Sequence, residues 1–440
     1  MTIQQITPHT LQNRTVHRAL LDNGMVVLTV ENAAADIVAA RLYIRAGGRY
    51  EPLEQAGLSH LLSAVITKGT EQLSSQEIAE RVESVGASLG ADAAPDYCLL
   101  SLKTVSADFP EMLALLGELV RSPSFPVEEV ELERRLALQG IRSMQEQPFA
   151  VANTQLRQIL YRNHPYAMPS LGTEATVAEL DREALQRYHQ TYFRPDNSVI
   201  SIVGRISPDD AIALVDRVFG DWQAPQFNGQ PLPLPHLSLP PVLPQPERAV
   251  TVQDTQQAIV MLGYLAASVQ EADHIALKLL NTYLGNGLSS RLFVELREKR
   301  GLAYDVSAFY PTRLDTSHFV MYIGTAPENA AIALEGLHHE VDRLHRELLT
   351  PEELQTAKNK LLGQYALGKQ SNAQIAQIFG WYETLNLGVD FDEQFQQSVA
   401  AVTAEDIQQA IQRYLTQPYV SLVGPESATD LAATVAVGSV

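Results

Sequence analysis

Five consecutive residues, His60-Leu61-Leu62-Ser63-Ala64, occupy positions from which a helix could hold a catalytic metal, yet most of the groups needed are missing. In a zinc-hydrolase helix of pattern H-x-x-E-H, two histidines one turn apart bind the metal and the glutamate activates a metal-bound water. Here the first histidine is present, Ser63 stands at the glutamate position and Ala64 at the second histidine. A serine is a poor base near neutral pH, and an alanine offers a metal no lone pair. Taken alone, the pentapeptide is an ordinary amphipathic helix segment, and a single helical His60 is a core or surface residue. The remaining candidates carry less. His338, His339 and His345 fall on one expected helix without a carboxylate in ligand context, which a solvated helix explains. Cys98 is the only cysteine, so there is neither an intramolecular disulfide nor a cysteine-based zinc knuckle. It sits in the apolar run Tyr97-Cys98-Leu99-Leu100 and reads as a buried thiol. Gly285-Asn286-Gly287 is too short to cradle phosphate, and no P-loop or dinucleotide fingerprint occurs. Ser63 has no nucleophile-elbow context.

The elements that must position these residues form a repeated pattern. A chain of 440 residues exceeds what one hydrophobic core usually organises, so two domains are expected. Prolines crowd between Pro225 and Pro246 (Pro231, Pro233, Pro235, Pro240, Pro241, Pro244), as in an extended, semi-rigid connector. The division is therefore an N-terminal unit at 1–224, a linker at 225–247 and a C-terminal unit at 248–440. Strand-like runs at 36–44 and 258–265 each precede an amphipathic helix, at 57–67 and 273–284. Gly86-Ala87 and Gly301-Leu302 then introduce strand material at 97–105 and 318–323, followed by helical repeats at 109–120 and 329–344. Pro126 and Pro351, each with acidic residues just after, open a further long helix. The parallel predicts an internal duplication: an α+β protein of two similar α/β-sandwich units.

The text around the pentapeptide resembles the pitrilysin/insulysin family, which includes the mitochondrial processing peptidases and their two-subunit bacterial relatives. The resemblance rests on R-A-G-x-R-x-E at 45–51, A-G-L-x-H-L-L at 56–62 and Lys68-Gly69-Thr70. Gly86 to Ala91 matches the family's G-A-x-x-N-A, with Gly90 where Asn is usual, and Ala93 stands where Thr is frequent. Overall it spans about residues 15–425. It implies a third zinc ligand, a glutamate about seven residues after an E-R pair. Counting from Glu133-Arg134 reaches Gly140, with Gln139 beside it, so this chain is expected to hold no zinc.

A second segment, Leu288 to Tyr304, resembles the family's arginine/tyrosine motif, with Arg297 and Tyr304 seven apart. The resemblance implies that the tyrosine hydroxyl donates to the oxyanion of a tetrahedral intermediate and that the arginine holds a substrate carbonyl or orients the tyrosine. On residue pattern alone, Arg297 fits a solvated helix and Tyr304 the start of a buried strand. The family precedent also implies two chains around a peptide-holding chamber, with this pair directed at a partner's zinc. The expected function is thus the non-zinc subunit of a heterodimeric metalloendopeptidase. A homologous chain with intact H-x-x-E-H would be its partner and a peptide its substrate. A structural or assembly protein of the same fold is the alternative, since such relatives occur in a respiratory complex. The glycine-rich loop of the mitochondrial non-catalytic subunit is absent, with Gly285-Asn286-Gly287-Leu288 in its place.

Formal charge −19 and pI near 5.0 argue against tracking nucleic-acid phosphates or adhering to anionic membranes. The N-terminal residues lack the apolar core of a secretory signal, and no stretch approaches the roughly 18 apolar residues of a membrane span. A cytoplasmic location is expected. The closing run, residues 432–440, is expected to fray.

Overall fold

Strands gather into two principal sheets, one on each side of the proline-rich stretch, in the computed structural model, which describes residues 6–11 and 14–433. The first sheet contains β1 (Ile6–Leu11), β2 (Arg14–Leu20), β3 (Val26–Glu31), β4 (Ile37–Ile44), β5 (Ser88–Ala93), β6 (Cys98–Val105) and β7 (Ser198–Gly204). Their spatial order is β1-β2-β3-β7-β4-β6-β5. A short ribbon of β8 (Gln226–Phe227) and β9 (Gln230–Pro231) follows. The second sheet contains β10 (Arg248–Val252), β11 (Ala258–Ala266), β12 (Asp305–Phe309), β13 (Ser317–Thr325) and β14 (Tyr419–Gly424), in the order β10-β14-β11-β13-β12.

The expected duplication is visible in this topology. The run β3-β7-β4-β6-β5 repeats as β10-β14-β11-β13-β12. In both runs the first pair is parallel and the others antiparallel. Each long helix opens where proline and acidic residues predict, at Val127–Gln145 and Pro351–Leu367. The fold is α+β, with two units of the same design.

Each unit borrows one helix from the far side of the linker. The first takes the chain up to Ile141, then Pro169–Ser238 and Ala366–Glu393; the second takes Arg142–Met168, Leu239–Tyr365 and the chain from Gln394. In the first unit, the helix Asn372–Thr384 lies on β4 and β7. Its N-terminus is closed by a capping box of Ser371 and Gln374. The Tyr43 hydroxyl donates to the Gln377 carbonyl at 2.8 Å, and Arg18 pairs with Glu383 at 2.8 Å. Gly380 meets the strand so closely that a Cβ there would lie 2.6 Å from the Tyr43 ring. The opposite face of this sheet builds the main core, where Leu42, Leu100 and Ile202 pack with Leu61, Leu62, Leu116 and Val215. In the second unit, the helix Pro148–Tyr161 lays Ala152, Leu156 and Leu160 against Ile259, Met261, Val320 and Val423. Two apolar faces per sheet and one helix stripe to cover each is what makes these borrowed helices necessary.

Buried histidines give both units an acid limit. Burial holds His189 of the first unit down to about 4, although the Val120 carbonyl that accepts from its Nε2 at 2.7 Å opposes this. His274 of the second unit is held at about 3 by burial, with Lys278 adding to the effect. A depressed folded-state value means that the unfolded chain binds protons first. The corresponding stability is complete above about pH 6.5 and is lost as pH falls towards 4. Melting temperatures should therefore fall steadily from pH 7 to pH 4.5; a flat profile would show that these imidazoles accept protons in place.

Among the described residues no helix is long and apolar enough to cross a membrane. The expectation of fraying at the C-terminus falls, from residue 434 onwards, outside the described residues.

Candidate functional site

The motif helix of the first unit, Leu58–Val65, starts from a fixed platform. Gly57 takes a left-handed φ of 97°, and a Cβ there would lie 2.6 Å from the Leu171 carbonyl oxygen. Glu51 receives the N–H of Gly57 at 2.8 Å and that of Ser59 at 2.6 Å, together with the Ser59 hydroxyl. A buried carboxyl thus closes the positive end of the helix. Burial raises the Glu51 pKa, while these hydrogen bonds act to lower it. The R-A-G-x-R-x-E segment therefore builds the helix start.

The helix buries Leu58, Leu61, Leu62, Ser63 and Val65 and leaves His60 and Ala64 half-exposed, one turn apart. Ser63 is buried beside the Cys98 thiol, and its hydroxyl acts to lower the thiol's pKa. Burial pushes that thiol up to about 12, as expected for an inert cysteine. Burial lowers the His60 pKa, against the carboxylates of Glu133 and Asp92. Glu133 is engaged by Lys68 at 3.1 Å, an ion pair the sequence reading missed although both residues stood in quoted motifs. Gly140 lies two turns beyond Glu133 on Val127–Gln145; a Cβ there would touch only Leu171, at 3.5 Å.

These residues do not fit a zinc ion. A catalytic zinc takes three protein ligands and keeps one open position. His60 is one nitrogen donor, Ser63 is buried and offers only a neutral hydroxyl, and Ala64 and Gly140 have no side-chain donor atoms. Among the described residues, no group of three or more His, Cys, Asp or Glu side chains is placed to hold a metal. Beside the motif, β5 is the outermost strand, bonded only to β6; a Cβ on Gly90 would meet nothing within 4 Å.

In the second unit, Arg297 sits on a π-helical turn, Phe293–Glu298, whose i→i+5 bond runs from Lys299 N–H to Val294 O at 3.0 Å. Its guanidinium lies over the Phe293 ring, 4.9 Å from the centroid. Below the turn, Arg291 binds Glu295 at 2.7 Å and the buried Glu340 at 2.8 Å. Tyr304 immediately precedes edge strand β12. Its N–H donates to the Gly324 carbonyl at 2.8 Å, which pins the backbone, while 62% of the residue remains exposed. The ring is therefore outside the core. Burial lowers the His338 pKa, and the His345 Nε2 donates to the Leu415 carbonyl at 2.9 Å, consistent with structural roles for that helix.

Comparison with known proteins matches both parts of the chain. The insulinase family model (peptidase family M16) matches residues 26–174, and the peptidase M16 inactive-domain model matches residues 179–361. An uncharacterized zinc protease of Bacillus subtilis strain 168 is 27% identical over 419 residues, covering 93% of this chain and 98% of that one. Another, from Mycobacterium leprae, is 26% identical over 418 residues, covering 93% and 92%. A solved peptidase M16 inactive domain from Pseudomonas fluorescens superposes with TM-score 0.85 at 26% identity, covering 93% of this chain and 98% of its own. A protease from Helicobacter pylori shares the fold, with TM-score 0.88 at 22% identity over 93% of this chain and 99% of its own.

Proposed function

This chain belongs to peptidase family M16, and from that premise we propose that it is the non-zinc subunit of a heterodimeric metalloendopeptidase. The observation that carries this reading is an imbalance between the units. The first has lost the metal donors at Ala64 and Gly140, whereas the second presents Tyr304 to solvent beside Arg297's turn. An exposed tyrosine next to an edge strand contributes little packing, which leaves its hydroxyl available to a ligand. Its hydroxyl would donate to the oxygen on which negative charge develops as a peptide carbonyl is attacked. Arg297 would hold a carbonyl of the same peptide. Zinc and the glutamate base would belong to a homologous partner, and the isolated chain would be inactive. We place the complex in the cytoplasm, and the negative charge fits neither nucleic acid nor an anionic membrane as partner.

The loss of donors equally fits a non-catalytic assembly protein of this fold; only the presented pair favours catalysis. Affinity capture from native cells separates the two. A similar-sized chain carrying H-x-x-E-H and the third glutamate supports the peptidase, while self-association alone or a larger non-peptidase assembly supports the scaffold. A second test is metal content. Elemental analysis of the purified chain should find far less than one zinc per molecule, and one tightly held zinc would overturn the argument from Ala64 and Gly140.

A further inference from the structure

We propose that Phe293 is a positioning residue for Arg297: its ring holds the guanidinium in place while leaving the charge and its donors available to a substrate oxygen. This rests on the reading that Arg297 acts on peptide, but the contact can be tested without that reading.

The geometry supplies the argument. A guanidinium within about 6 Å of a ring centroid is attracted by the negative face of the ring, and the observed 4.9 Å lies inside that limit. A carboxylate could also immobilise an arginine, but it would occupy the N–H donors and cancel the charge. An aromatic face does neither, because the five donors lie in the guanidinium plane. The surrounding charges fit this division. Glu295, two residues before Arg297, is claimed by Arg291 at 2.7 Å and by Lys299 at 2.8 Å. Glu340 is claimed by Arg291 at 2.8 Å. Among the described residues no carboxylate is paired with Arg297. Arg291 and Lys299 are thus paired with carboxylates, while Arg297 and the exposed Arg300 are not, and of these two it is Arg297 that lies over a ring.

The contact lies on the π-turn that ends this helix. Such turns insert one residue into a helix and are frequent at functional sites. Arg297 lies within it, four residues after Phe293, and the helix ends directly afterwards. Leu302 N–H returns to Leu296 O at 2.9 Å and Gly301 N–H to Arg297 O at 3.0 Å. Within three more residues the chain reaches Tyr304. Arginine and tyrosine are therefore linked by one short reversal, and Phe293 supports the end of it that the sheet does not pin.

The test uses the full chain, with the ring-free variants Phe293→Leu and Phe293→Met and the ring-retaining Phe293→Tyr. Nitrogen-15 relaxation of the arginine side chains should show Arg297 Nε ordered in the parent and in Phe293→Tyr, and averaged in the ring-free variants. Equal order in all four proteins would overturn the proposal whether or not the chain serves a peptidase. In the assembled complex, Phe293→Leu should lower kcat/KM about two- to fivefold, the size of one exposed cation–π contact. The same change made on an Arg297→Ala background should have no further effect. A loss that persists without Arg297 would mean that Phe293 acts through packing, and would overturn the positioning role. Should the complex show no peptidase activity at all, the relaxation result still decides the contact, and only the functional reading of Arg297 fails.

Discussion

Replacing Tyr304 by phenylalanine should lower turnover by the assembled two-chain enzyme about tenfold or more while leaving assembly and melting temperature unchanged. The substitution removes one hydroxyl from a residue that is 62% exposed, so nothing in the core is disturbed. Removing one aimed donor from an oxyanion site elsewhere costs about 3–4 kcal/mol. A solvated tyrosine should fall towards the lower end of such effects, because water replaces part of what is lost. The effect should appear in kcat rather than KM, since the oxyanion exists only after attack. Unchanged turnover with assembly intact would remove the strongest support for a catalytic role and leave the assembly-protein reading in possession.

Gly380→Val should destabilise the first unit by about 2–3 kcal/mol, the range of overpacking in a filled core. Even a Cβ would stand 2.6 Å from Cε2 and 2.9 Å from Cδ2 of Tyr43, with the Ser201 Cβ at 3.1 Å. Tyr43 cannot swing aside cheaply, because it is fully buried and its hydroxyl is fixed to the Gln377 carbonyl. For a unit of this size the melting temperature should drop about 5–10 °C. The control is Gln377→Val, the same residue placed on the exposed side of the same helix, which should stay within about 0.5 kcal/mol of the parent. Equal melting of the two variants would mean that the helix is not seated on β4.

Strand and helix positions were legible because periodicity and proline report them directly. The runs at 36–44 and 258–265 became β4 and β11, and Pro351 became the first residue of its helix. The motif helix was equally plain from A-G-L-x-H-L-L. Which sheet a helix covers was not legible. The apolar stripes of Pro148–Tyr161 and Asn372–Thr384 specify that something apolar lies beneath, and any sheet of suitable face satisfies that demand. At the site, the missing donors could be read from residue type alone. The ring under Arg297 and the Lys68–Glu133 pair could not, since both depend on side-chain direction across a turn or between helices. At Tyr304 alternation suggests a buried strand start, in step with the buried Val306 and Ala308, but the residue stands just before β12 begins and its ring is exposed.

The borrowed helices also bear on how the protein is made. When the ribosome has added β7, all seven strands of the first sheet exist, but the helix that covers the face bearing Tyr43 lies beyond residue 371. At roughly 5–20 residues per second, the interval between Gly204 and Thr384 lasts on the order of ten to forty seconds. Throughout it, a broad apolar face emerges into the cell without its cover. N-terminal-first folding, the usual protection of a multidomain nascent chain, is therefore closed to this protein. Its yield should depend on chaperones that shelter the nascent sheet, and a gene split at the proline-rich segment should give usable protein only when both fragments are made together.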